Sequence, residues 1–401
     1  MIRIRKYNSV SVTAVERSAL RWLAFALVGL SLSCSDIQRP SVASLLLGSV
    51  SGGDKIGIVS SDLSTTGRFS VMTLDGFQTD FHVNVHSDAV ARNYNDRVYV
   101  INRLGRDNVQ VLNPVVGYLT EAEVSMGSGS NPHDIAFAAG RAFVSLYERT
   151  YLRVLTQDLA PIGTIDLGYL GETTSAGGTP DGLPELSSLF AYNGKIYVVV
   201  QRLDRNHPVL TYAPDGLSYL VEIDASSLSV TGTFAFQSSN PFGKLKLVNL
   251  QGVDHLVIST PAKLGFNFAI DGGVEAFNLQ TRQFRPGFLY TEATAGGDIL
   301  DVVIKNDSIG YATVQYADFS VSLQKFNPLT GARLAELAFY PASVGFFSGL
   351  VLSPDGRLYA GDISSIAPAV RIYDTATDLQ LGTVPIVGGL RPVDLVYVAP
   401  L

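Results

Sequence analysis

Two short segments repeat a pattern suited to holding anions. Asn102-Arg103-Leu104-Gly105-Arg106 and Gln201-Arg202-Leu203-Asp204-Arg205 both read amide-Arg-Leu-x-Arg. Guanidinium groups present planar, bidentate forks that match carboxylate or phosphate. Acids, amides and histidines stand at other recurring points: His86, Asp88, Asn131, His133, Asp134, Asp181, Glu185, Asn240, Asp301 and Asp394. The candidates for contact with a ligand or partner are Arg103, Arg106, Arg202 and Arg205, together with His133, Asp134, Asp181 and Glu185. The same residues can serve the fold instead. Aspartates at strand entries satisfy backbone N–H groups as turn and cap residues do, and arginines paired with them lock neighbouring units together.

Catalytic patterns are sparse. The five histidines, at 82, 86, 133, 207 and 255, show no His-x-x-Glu-His or comparable metal-ligand spacing. A single cysteine rules out a disulfide within the chain and any cysteine-based zinc site. Gly127-Ser128-Gly129-Ser130 resembles a nucleophile elbow only superficially and reads as a flexible connection. No catalytic or metal-binding residue is therefore assigned. His86 and His133, at successive unit entries, leave open a histidine–carboxylate or metal site. Calcium held by converging acidic oxygens is the one cofactor left open, without an EF-hand-like loop.

What must position these side chains is a repeated β unit. A length of 401 residues suggests two or three domains, but charged residues make up only 16% and the chain holds 38 Gly, 18 Tyr and 20 Phe. Such a charge-poor, glycine- and aromatic-rich composition suits one closed all-β architecture. A hydrophobic content of 46% excludes disorder, and a net charge of −7 argues against nucleic acid as a partner. From residue 53 onward, short β-rich runs alternate with Gly, Asn-Pro and Asp-Gly punctuation. Six units open near Ser87, Asn131, Pro180, Asn240, Ile299 and Ser353, the fourth being the least regular. Each carries the four-strand pattern of a propeller blade. Arg391–Val398 is an opening strand with nothing after it, and residues 55–85 supply its missing partners. The expected fold is a seven-bladed β-propeller of four-stranded antiparallel blades, its ring closed by N- and C-terminal strands. In such a blade the entry and the loop between strands two and three share one face. The two arginine motifs and Tyr147-Glu148-Arg149 then lie on the same face, in the first three units.

The stretch from Ser353 to Asp378, with Gly389-Leu390-Arg391-Pro392-Val393, resembles the YVTN-repeat propeller family. Its consensus runs through a Pro-Asp-Gly turn, a Leu-Tyr-Val strand, a Val-x-Val-Ile-Asp strand and a Thr-Ala-Thr-Gly turn. Val98-Tyr99-Val100-Ile101-Asn102 is similar to the strand that names the family. The resemblance extends over about 300 residues at repeat level and fades between 240 and 300. It implies a propeller outside the cytoplasm, and it implies little about activity.

Residues 1–33 read as an address. Arg3, Arg5, Lys6, Arg17 and Arg21 precede the apolar run Leu23–Leu30, which ends in Ser31-Leu32-Ser33-Cys34. A basic start and a short apolar run make a secretory signal, about half the ~20 residues that span a bilayer. Its removal would take the net charge from −7 to about −11. The end of the run resembles a bacterial lipoprotein signal, which implies acylation of Cys34. It departs from the pattern in having Ser31 where Leu is favoured, and ordinary cleavage near Ser33 is the alternative. Under the family's sorting rule Ser35 implies the outer membrane. The expected organisation is a signal at 1–33, a lipidated cysteine and tether at 34–52, and one propeller over 53–401. The expected role is that of a monomeric, membrane-anchored binding or scaffold protein whose entry-loop face meets a protein or cell-envelope component. A propeller hydrolase or lyase, similar to lactonases, is the alternative.

Overall fold

The computed structural model describes residues 53–400, apart from 79–80, 176–178, 209–211, 215, 265–267 and 343–344. The signal, Cys34 and the tether lie outside the described residues.

Seven antiparallel sheets follow one another along the chain. Blade 1 contains Ala89–Tyr94, Arg97–Asn102, Asn108–Asn113 and Leu119–Ser125; blade 2 contains Pro132–Ala138, Arg141–Leu146, Tyr151–Thr156 and Pro161–Asp166. Blade 3 contains Leu186–Tyr192, Lys195–Val200, Tyr219–Asp224 and Val230–Ala235, with an inserted hairpin, Leu203–Asp204 and Ala213–Pro214, between its second and third strands. In blade 4, Phe242–Leu250, Val253–Thr260 and Gly273–Asn278 carry an outer strand broken into Gln283–Phe284 and Tyr290–Thr291. That break explains the weak fourth repeat. Blade 5 contains Asp298–Asn306, Ile309–Gln315, Val321–Phe326 and Arg333–Tyr340; blade 6 contains Phe347–Leu352, Arg357–Asp362, Ala369–Asp374 and Gln380–Pro385. Blade 7 takes Arg391–Val398 as its inner strand and Lys55–Ser61, Gly67–Thr73 and Val83–Val85 as the rest. Val59 faces Asp394 and Lys55 faces Val398 in the closing register. The chain is a seven-bladed β-propeller.

Local chemistry sets the repeat. First and second strands join through two-residue turns such as Asn193-Gly194, where both residues have positive φ (46° and 74°), as a type I′ hairpin requires. Third strands end on Asp224, Asn278 and Asp374, or just before Asn327, and the side-chain oxygens of these residues accept the N–H groups two and three residues on. This Asx turn is what the recurring strand-final Asp or Asn encodes.

The hydrophobic core is divided among the blade interfaces. Phe143 and Leu152 of blade 2 pack with Ile196 and Val198 of blade 3, and equivalent clusters join each consecutive pair, including Ile58 and Leu395 of blade 7 with Tyr359 and Ile372 of blade 6. The second strand of a blade is buried on both sides, so near-continuous apolar runs such as Ile196–Val200 replace strict alternation there, whereas outer strands such as Leu119–Ser125 are exposed. The connection at 127–130 is pinned, contrary to the flexibility expected of its Gly-Ser composition. Asp107 accepts the N–H groups of Gly129 (2.6 Å) and Asn131 (2.9 Å), and the Arg149 guanidinium donates to the carbonyls of Ser128 and Gly129 (both 2.8 Å).

Candidate functional site

The inner strands meet around a central channel, where backbone N–H groups of one blade face the next. One register position answers them. Asp134 of blade 2 accepts the Leu189 N–H of blade 3, Asp301 of blade 5 accepts that of Leu350 in blade 6, and Asp394 of blade 7 accepts that of Ala91 in blade 1, each at 2.8 Å. Ser188, at the same position of blade 3, accepts the Leu245 N–H of blade 4 (2.9 Å) and donates to Asp134 (3.1 Å). Leaving such buried donors unmet would cost about 1–3 kcal/mol each.

Cations complete the channel waist. Arg92 pairs with Asp134 at 2.7 Å and Lys246 with Asp301 at 2.6 Å. Lys244 reaches from blade 4 to Asp394 in blade 7 at 2.5 Å and also donates to the Leu395 carbonyl at 3.3 Å. Burial pushes the Lys244 amine down to about 8, against the opposing pull of Asp394. Each channel carboxylate thus has a cation partner. Among the described residues no group of three or more His, Cys, Asp or Glu side chains could hold a metal.

The waist separates two cavities. One, of about 710 Å³, is lined by residues further along the inner strands, including Tyr94, Phe137 and Phe190. The other, of about 720 Å³, is a bowl on the entry face. Blade entries supply His133, Phe242 and Phe346 to it, and second-to-third-strand loops supply Arg103, Leu104, Tyr147, Glu148, Tyr212 and Lys263. The shared face expected from blade topology is therefore a concave site. Its rim carries exposed apolar side chains: Leu104, Tyr212 and Phe242 are 62%, 49% and 41% exposed.

The eight sequence candidates divide within this arrangement. Arg103 lines the bowl and its guanidinium donates to Asp88 of its own blade. Arg106, the second arginine of the same motif, points outward to Glu123 at 3.2 Å and is exposed. Arg202 donates to the Leu217 carbonyl at 3.2 Å and lies over the Tyr219 ring. Arg205, on the hairpin inserted in blade 3, sits 5.3 Å from the Tyr147 ring centre and 5.6 Å from that of Tyr212. It meets Glu185 at 2.9 Å, Asp181 at 3.3 Å and Glu148 of blade 2. Burial pushes the Glu185 carboxyl upward, opposed by the Leu203 N–H and Arg205. Arg205 therefore fastens the wall between blades 2 and 3. Asp134 belongs to the waist.

His133 differs from all of these. Its ring stacks on Tyr147, centres 4.1 Å apart, and lines the bowl with no hydrogen bond from either ring nitrogen among the described residues. Burial, reinforced by the charges of Arg103 and Arg205, pushes the imidazole well below its ordinary range, so it is neutral near pH 7. His86 does not join it: its Nδ1 accepts the Asp88 N–H at 3.2 Å. At the same register position of blade 3, Ser187 borders the bowl, 8% exposed, its hydroxyl oxygen buried and without a hydrogen-bond partner among the described residues. Sequence reasoning missed Ser187, Tyr212, Phe242 and the two channel lysines. Aligning the units on the residue before Ile135, Leu189, Leu245, Val302 and Leu395 would have placed Lys244 among the channel acids.

No protein family and no curated protein matches the chain. Solved structures do match in fold. A candidate 6-phosphogluconolactonase from Bacteroides uniformis is 14% identical with a TM-score of 0.55, covering 86% of this chain and 99% of that one. The dihydro-heme d1 dehydrogenase NirN in complex with DHE is 15% identical, with a TM-score of 0.52 over 90% of this chain and 79% of that one. Apo AztD from Citrobacter koseri is 10% identical, with a TM-score of 0.51 over 87% and 99%. At these identities the chain shares with them the architecture of a β-propeller.

Proposed function

We propose that the chain is an extracytoplasmic, membrane-anchored binding protein that holds a ligand or partner in the entry-face bowl without transforming it. The observation that carries this reading is the division of labour in the bowl. Asp134, Asp301 and Asp394 spend their oxygens on backbone N–H groups and on Arg92, Lys246 and Lys244. Carboxylates so engaged have their oxygens committed to holding the ring. Above them lies an open concavity of about 720 Å³ with exposed apolar side chains on its rim, within the ~300–1,000 Å³ of small-molecule sites. The basic and apolar segment before Cys34 supports the address, and acylation of that thiol would keep the propeller on the membrane.

A photo-crosslinking residue at Leu104, on the rim, is compared on intact cells with one at exposed Leu379, in a turn on the opposite face. A specific adduct at position 104 alone supports the reading; equal labelling at both sites, or none at 104, removes it. Turnover of an ester or lactone that disappears with His133→Ala would replace binding with hydrolysis. Cys34→Ala with cell fractionation tests the anchor, and unchanged membrane association would sink it.

A further inference from the structure

We propose that the bowl takes an uncharged amphipathic molecule, its apolar body against Leu104, Tyr212 and Phe242 and its neutral hydrogen-bonding head at His133 and Ser187. This inference rests on the reading of the bowl as a binding site and adds the class of ligand.

The valences left open in the bowl decide the class. Arg92, Arg103 and Lys244 already face Asp134, Asp88 and Asp394. Glu148 is taken by Arg205. Among the described lining residues, Lys263 is the one cation held loosely: it is half-exposed at the rim and 3.8 Å from Asp271. A phosphate or carboxylate would have to displace an existing partner or settle on that single rim amine. The groups that do lack partners are neutral. A neutral imidazole offers one N–H donor and one nitrogen acceptor, and a hydroxyl can donate and accept. Both stand at one register position on the inner strands of adjacent blades, and both line the bowl. An amide, alcohol or lactam head supplies complementary groups, whereas a charged head buried against them would lose its hydration without a counter-charge. The ring of Tyr147 stacked on His133 fixes the imidazole in place, so that little order must be created on binding.

The test uses three probes with one apolar body: 1-naphthaleneacetamide, 1-naphthaleneacetate and 1-naphthyl phosphate. Binding to the propeller is measured by equilibrium dialysis at low and high salt. The expected result is that the amide binds at least ~10-fold more tightly than either anion, a difference of about 1.4 kcal/mol, and is insensitive to salt. His133→Ala and Ser187→Ala should each weaken the amide, with Phe242→Ala, at an exposed rim position, weakening all three probes. An anion that binds tightest, with salt sensitivity and with loss on Phe242→Ala, would overturn the neutral-ligand inference and leave the bowl as a binding site. Failure of all three to bind, or binding indifferent to both His133→Ala and Phe242→Ala, would overturn the bowl reading as well.

Discussion

The channel waist and the wall of the bowl above it are built from neighbouring residues of the same inner strands, yet they are finished in opposite ways. At the waist every named carboxylate has both a backbone N–H and a cation, and Asp134 is fully buried. On the wall, at the residue just before in each strand, the His133 ring nitrogens and the Ser187 hydroxyl have no hydrogen-bond partner among the described residues. Buried charges that are fully paired keep a fold in register but have nothing left to offer a visitor. Neutral groups can stay unpaired at lower cost, and their open valences remain for a ligand. Charge in this propeller therefore marks where the ring is held, and its absence marks where something can be received.

The sharpest way to break that contrast is Asp134→Ala. The substitution strands the Arg92 guanidinium and the Leu189 and Ile135 N–H groups, all of which now donate to this carboxylate. A loss of about 3–5 kcal/mol is expected, as for other broken buried pairs, read as a lower urea midpoint. A loss below about 1 kcal/mol would mean that the waist does not hold the ring.

Next in size is the comparison of Arg205→Ala with Arg106→Ala, the same position of the duplicated motif. Arg205 serves Glu148, Asp181 and Glu185, and its removal leaves three acids facing one another. About 3 kcal/mol should be lost. The Arg106–Glu123 pair is exposed, and its loss should stay within about 0.5 kcal/mol. Equal effects would deny that the inserted hairpin fastens blades 2 and 3.

Lys244 adds a pH dependence with a definite sign. Its folded pKa, about 8, lies below the ordinary 10.5, so between those values the unfolded chain binds more protons. Stability from this group should therefore rise with pH from about 8 toward 10.5, with a slope approaching ~1.4 kcal/mol per pH unit. Measured as the difference between wild type and Lys244→Met, a slope of zero or of the opposite sign would show that Lys244 is not strained at the waist.

The repeat made the ring and its closure legible, because turn residues and strand-final Asp or Asn are local signals that recur in every unit. The paired arginines show where such reading stops. Arg106 and Arg205 occupy equal places in equal motifs, but only the second stands on an inserted hairpin that turns it toward Tyr147 and Glu148. Lys244 was hidden for a different reason. It lies in the irregular fourth unit, and its partner, Asp394, is on the far side of the channel, a neighbour only once the ring has closed. Ser187 could not be singled out because its distinction is a missing partner, which exists only in three dimensions.

A modest expected change in stability is also the most pointed. His133→Ala removes one stacking contact, with Tyr147, and no hydrogen bond among the described residues. The cost should be about 0.5–1.5 kcal/mol, the usual worth of an aromatic pair. If the wall is there to receive a ligand, this small change should still remove most of the affinity for the amide probe, while losses of stability as large as that of Asp134→Ala, made elsewhere in the ring, leave affinity in the folded fraction intact. His133→Phe keeps the stacking surface and discards both nitrogens, so it should restore the melting temperature without restoring binding. Recovery of both together would make His133 a packing residue, and the contrast between a locked waist and an open wall would lose its functional half.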